Sequence, residues 1–129
     1  MSVPIAIKRM TFIPDTMVTF RVEGTPVPEG SHSAHIFNGR AVVHHNKSNK
    51  LMKWREQVAE AYRCSGANYL YDEPIMIRID FKMLRPKSVS YKKRPYPTTR
   101  QMDLDKAIRA IGDALNQVAY DDDSQIVCI

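Results

Sequence analysis

Near the C-terminal end, Ala107, Ile108, Ile111, Ala114, Leu115 and Val118 recur at the i, i+3, i+4, i+7 spacing of a helix with one buried face. Asp105, Arg109 and Asn116 fall on the opposite face, and Asp103 stands where it caps the helix or closes the loop before it. A second helix is expected over residues 48–64. Its apolar stripe is Leu51, Trp54, Val58, Ala61 and Tyr62, its outer face carries Lys50, Lys53, Arg55, Glu56 and Glu60, and Ser65-Gly66 stops it. Strands show the period of two. Val18, Phe20 and Val22 alternate with Thr19, Arg21 and Glu23. After Pro74, Ile75, Ile77, Ile79, Phe81 and Met83 alternate with Met76, Arg78, Asp80 and Lys82. Between them, 34–37 and 40–44 flank Asn38-Gly39, the pair preferred in a tight type I′ hairpin turn. Pro26 and Pro28 cannot donate to a ladder, so Gly24–Gly30 reads as a loop. Residues 1–16 read as an irregular leader, and 17–129 as the folded domain. Three or four strands with two helices predict an α/β (α+β) single domain, a small mixed sheet with two main helices packed on it.

Composition narrows this only a little. With 129 residues, 43% hydrophobic and 26% charged, the chain suits one domain with one modest core. Cys64 and Cys128 make neither a disulfide framework nor zinc spacing, so a reducing cytoplasm is expected. No apolar run approaches the ~20 residues of a membrane span, and Pro4, Lys8 and Arg9 break any signal-peptide pattern. The histidines, His32, His35, His44 and His45, lack a cysteine pair and match no zinc ligand spacing. No organic cofactor motif is present.

Charge changes the picture more. The chain is basic, +5 with a pI near 9.3, which favours a polyanionic partner. Yet five of its fourteen acids stand at 103, 105, 121, 122 and 123. Each half has an ordinary explanation. Acids in a first helical turn complement the helix dipole, and an Asp triplet makes a polar turn. Should the strand starting near Gln125 run back beside the helix start, the carboxylates converge, and a hard divalent cation relieves their repulsion. Immediately before them runs an acid-free loop with Arg85, Lys87, Lys92, Lys93, Arg94 and Arg100, interleaved with Tyr91 and Tyr96. Bases that hold a phosphate backbone beside acids that hold a metal make the arrangement a nuclease requires. Asp80 reads as an exposed strand carboxylate.

Two blocks carry a resemblance: Asp103-Leu104-Asp105-Lys106 with Arg109 and Asp113-Ala114-Leu115, then Asp122-Asp123-Ser124-Gln125-Ile126. Together they resemble the RusA family of Holliday-junction resolvases, phage and prophage endodeoxyribonucleases. The Gly24-Thr-Pro-Val-Pro-Glu-Gly-Ser31 run is similar to the opening of some phage members. The resemblance implies a homodimer in a bacterial or phage-infected cell that cuts four-way DNA junctions on two strands. It implies a metal set of Asp103, Asp105 and Asp123, with Asp122 a weaker candidate beside it. Mg²⁺ is the expected ion, Mn²⁺ an alternative. Arg109 is expected to neutralise charge on the phosphate, with Lys106 assisting or pairing with Asp103. Lys106 stands where the family usually has Asn, and Arg109 where a catalytic Lys is common. Arginine keeps the charge but cannot give up a proton. Relatives usually continue beyond the position of Ile129 into a further strand, so the chain reads either as a natural short form or as one cut short in its last strand. Two alternatives remain open: a junction-binding protein of the same fold with weak or no cleavage, and a protein whose acids only cap and solvate.

Overall fold

The computed structural model describes residues 2–10, 17–30, 32–45, 49–83, 92 and 103–129; the side chains of 32–37 and 42–45 are outside that description. In chain order the elements are β1 (Ser2–Arg9), β2 (Val18–Glu23), β3 (His32–Phe37), β4 (Arg40–His45), α1 (Asn49–Cys64), β5 (Ile75–Ile79), α2 (Leu104–Leu115), a 3₁₀ turn (Asp123–Gln125) and β6 (Ile126–Cys128). The main sheet runs β2-β1-β5-β6, and β3-β4 is a separate two-stranded sheet. β1 is antiparallel to both β2 and β5, whereas β6 is parallel to β5. This is the mixed sheet with two helices of a small α+β domain.

The leader expectation is overturned at its first strand. Val3, Ile5 and Ile7 are almost wholly buried, and β1 lies between β2 and β5. Pro4 is tolerated inside this strand for a local reason. β5 ends at Ile79, so no ladder donor is required opposite Pro4, and its carbonyl still accepts from the Asp80 N–H at 3.2 Å. The period-two face of β1 joins Phe20 and Val22 of β2 and Ile75 and Ile77 of β5 in one core with α1 and α2. α1 contributes Leu51, Trp54, Val58 and Tyr62, and α2 contributes Ala110, Ile111, Ala114 and Leu115. The Phe20 and Tyr62 rings meet edge-on at 5.6 Å.

The other elements follow their local chemistry, with shifts. Asn38 (φ 50°) and Gly39 (φ 73°) both adopt positive φ, as a type I′ turn demands, and His32 pairs with His45 at the hairpin's base. β5 is shorter than its alternation implied, because pairing with β1 ends at Ile79 and Phe81 and Met83 lie beyond it. α2 stops at Leu115, and Val118 packs against the core from the following turn. The 24–30 loop is not merely a surface connection. Val27 packs on the core, Glu29 is only 2% exposed, and the Glu29 N–H donates to the Lys106 carbonyl at 3.0 Å. Among the described residues no helix is long and apolar enough to cross a membrane.

Candidate active site

α2 presents its acids at its head. Asp103 occupies the N-cap position with extended backbone, but its side chain makes no capping hydrogen bond. Instead Asp103 Oδ2 lies 3.6 Å from Lys106 Nζ. Asp103, Leu104 and Asp105 are exposed, as is Arg109 one turn further on, while Ala107, Ala110 and Ile111 anchor the other face. The exposed carboxylates therefore sit on a rigid helix rather than on a loop.

Beyond the helix the chain folds back. The buried Tyr120 hydroxyl donates to the Gly112 carbonyl at 2.8 Å, which ties the acidic turn to the last turns of α2. Burial, followed by the nearby carboxylates of Asp123, Asp113 and Asp122, pushes the Tyr120 hydroxyl well above its ordinary value. The three consecutive aspartates have different surroundings. Asp121 accepts from the Tyr69 hydroxyl at 2.8 Å. Desolvation, and then that hydrogen bond, push Tyr69 up to about 12. Asp122 caps the 3₁₀ turn through the Ser124 N–H at 3.4 Å. Asp122 and Asp123 also share a hydrogen bond between their carboxyls. It holds Asp122 below the ordinary carboxylate value and Asp123 above it; burial and the charges of Asp122 and Asp113 raise Asp123 further.

Gln125 holds this turn in place. Its Oε1 accepts from the Asp121 and Asp122 amides at 2.8 and 3.0 Å, and its Nε2 donates to the Leu70 and Glu73 carbonyls at 3.0 Å each. The amide's two donors and two acceptor sites are thereby filled. Leu70 N–H to Ala119 carbonyl, 2.8 Å, completes the seam to the segment before β5.

A second polar cluster spans three elements. Arg55 of α1 reaches Asp113 Oδ2 of α2 at 3.0 Å and also donates to Glu29 of the 24–30 loop. Outward helical phase had placed Arg55 in solvent, and the loop composition had placed Glu29 there. Only the packing of α1 on α2 under that loop buries them.

The aspartates singled out by sequence thus form two groups. Asp103 and Asp105 stand at the head of α2, and Asp122 and Asp123 touch each other beyond its tail. Asp123 lies in the field of Asp113, which is eight residues and so ~12 Å of helix rise past Asp105. Among the described residues, no three His, Cys, Asp or Glu side chains come together as a metal site. Each pair taken alone matches the way Mg²⁺ is usually held, by one or two carboxylates with waters and substrate phosphate. Of the expected phosphate-binding bases, Lys106 is half-buried at the α2 head and Lys92 is exposed in a turn. Arg85, Lys87, Lys93, Arg94 and Arg100 lie outside the described residues.

A helix-borne acidic pair with a cation one turn on, and a braced acidic turn after the helix, are the forms that the two sequence blocks take in three dimensions. The endodeoxyribonuclease RusA family model matches residues 23–129. The chain belongs to the RusA endodeoxyribonuclease family. It is similar to an uncharacterized protein, YqaN, of Bacillus subtilis (strain 168), with 30% identity over 119 residues that cover 85% of this chain and 82% of that protein. No solved structure matches the chain. The family match starts at the last residue of β2, so the central strand β1 precedes it.

Proposed function

We propose that the protein is a Mg²⁺-dependent endodeoxyribonuclease that resolves four-way DNA junctions by paired phosphodiester hydrolysis, acting as a homodimer in recombination or repair. The observation that carries this reading is the family match over 23–129, which includes both acidic blocks. The homodimer is what the family resemblance implies, with one active site in each subunit. A junction must also be cut on two strands, which asks for two sites.

In this reading Asp103, Asp105 and Asp123 would hold the metal, with Asp122 behind Asp123, and bound Mg²⁺ would supply Lewis-acid polarisation of the phosphodiester. The chain's own groups do the remaining work. Arg109 projects from the exposed face of α2 and offsets charge that grows on the phosphate. Because a guanidinium keeps its protons, Arg109 serves as a clamp and the leaving oxygen takes its proton from solvent. Lys106, close to Asp103, adds positive charge at the same end.

The test is cleavage of a synthetic four-way junction with and without Mg²⁺, with Asp105→Asn as the inactive control and sedimentation to establish the dimer. Symmetric nicking that needs Mg²⁺ and Asp105 supports the reading. Mg²⁺-independent or absent cleavage by a protein that still binds the junction favours the second reading, a binding protein of the same fold. That alternative has two departures behind it, Lys106 where the family usually has Asn and Arg109 where it often has Lys.

A further inference from the structure

The β3–β4 hairpin is not absorbed by the site above. It is a two-stranded sheet of its own, outside the four-stranded sheet. Isolated two-stranded ribbons are marginal in water and gain from a surface to lie on. Its root is fixed at the catalytic end. The Glu29 N–H is bonded to the carbonyl of Lys106, the residue after Asp105, and only two residues separate Glu29 from the start of β3. Three Cα steps span at most ~11 Å, so β3 begins within ~11 Å of Glu29, whose amide is bonded to the first turn of α2. At the other root, β4 ends four residues before α1 begins.

Charge along this stretch is one-sided. Residues 30–54 contain no acid, four Lys or Arg, and all four histidines of the chain. Arg55, next in line, is already engaged by Glu29 and Asp113. Arg40 is exposed at the hairpin turn, and Lys50 and Lys53 are exposed on the opening turns of α1. α1 has no acid in its first turn, where the dipole would favour one. An arrangement that costs local stability and concentrates bases is expected where a polyanion binds.

We propose that the β3–β4 hairpin, continued by the opening of α1, is an arm that grips a duplex arm of the DNA substrate beside the α2 carboxylates. This rests on the nuclease reading. Six-residue strands make a ribbon ~20 Å long, and a two-stranded ribbon is of the width that the major groove of B-DNA admits. Arg40 at the tip contacts one phosphate region and Lys50 and Lys53 another, so the substrate is held at points on either side of the ribbon's root.

Binding of a fluorescent duplex and a four-way junction to the full-length protein, in EDTA over a range of salt, tests this without cleavage. Arg40→Ala and the Lys50→Ala/Lys53→Ala pair are each expected to raise Kd by about three- to tenfold or more near 0.1 M salt. Each lost phosphate contact should flatten the log–log salt slope by about 0.9. Melting temperatures should not move, since all three side chains are exposed. Arg63→Ala, the same change of charge as Arg40→Ala but at the far end of α1, should leave Kd and slope as they are. Wild-type binding with unchanged Kd and slope in the arm variants overturns the arm and leaves the nuclease reading standing. Failure of the wild type to bind either DNA overturns both. Weakened binding accompanied by a changed sedimentation coefficient overturns the arm in favour of a subunit contact between two copies.

Discussion

Replacing Arg55 by Met tests the polar cluster that joins α1, α2 and the 24–30 loop. The Glu29 side chain is fully buried and Arg55 is 16% exposed, while Asp113 retains 30% exposure. Methionine keeps the length and apolar stem of arginine but withdraws the guanidinium from Glu29. Removing one partner of a buried ion pair typically costs ~3–5 kcal/mol, because the remaining charge stays out of water. A 129-residue chain has an unfolding entropy of about 0.27 kcal/mol/K at its midpoint, so the melting temperature should fall by ~11–18 °C. The double variant Glu29→Gln/Arg55→Met removes both charges and should recover most of that loss, since Asp113 can turn to solvent. Thermal and urea melts followed by circular dichroism, arranged as a double-mutant cycle, measure the coupling. The argument fails if Arg55→Met melts within ~3 °C of wild type, or if the double variant melts no higher than Arg55→Met alone.

Ile5→Ala should cost ~2–5 kcal/mol in a urea melt, the range for a truncated core residue; a change under ~0.5 kcal/mol would return β1 to the status of a leader. Asp123 is held above the ordinary carboxylate value, so the folded chain keeps a proton that the unfolded chain has lost. Its ionisation therefore costs stability as pH rises from ~3.9 through the raised value. Asp122, held below that value, contributes stability that is lost only as pH falls through its lowered value. Asp123→Asn is accordingly expected to melt above wild type at pH 7 in EDTA, the gap closing below about pH 3; a lower melting point at pH 7 would contradict this. Gln125→Met leaves two amides and two carbonyls to find water and should cost ~1–3 kcal/mol. Hydrogen exchange at the Asp121 and Asp122 amides should accelerate with it, and unchanged protection would show that the clamp is not formed in solution.

How much could be read beforehand differs from element to element. The α2 stripe, the α1 stripe and the Asn38-Gly39 turn announce themselves because each depends on near neighbours in sequence. β1 carries the same period-two signal at Val3, Ile5 and Ile7, but Pro4 argues against a central strand. Its acceptability depends on where β5 ends, 75 residues away. Gln125 is visible as part of a motif. Its task is not, since its donors and acceptors lie on the segment before β5 and on the acidic turn together.

The acidic site divides along the same line. Local pattern alone places Asp103 and Asp105 on an exposed helical head and Asp121–Asp123 in a turn, because dipole, capping and turn chemistry act over a few residues. Whether separated carboxylates meet depends on the path of the chain between them. Tyr120 on Gly112 ties the turn to the last turns of α2, and Gln125 on Leu70 and Glu73 ties it to the segment before β5. The amino-acid order by itself determined the kind of protein and the residues that carry its charge. The tertiary packing decided which of those charges lie together in one chain, which are buried as with Glu29 and Arg55, and which face outward, because burial and long-range hydrogen bonding are properties of contacts between distant segments.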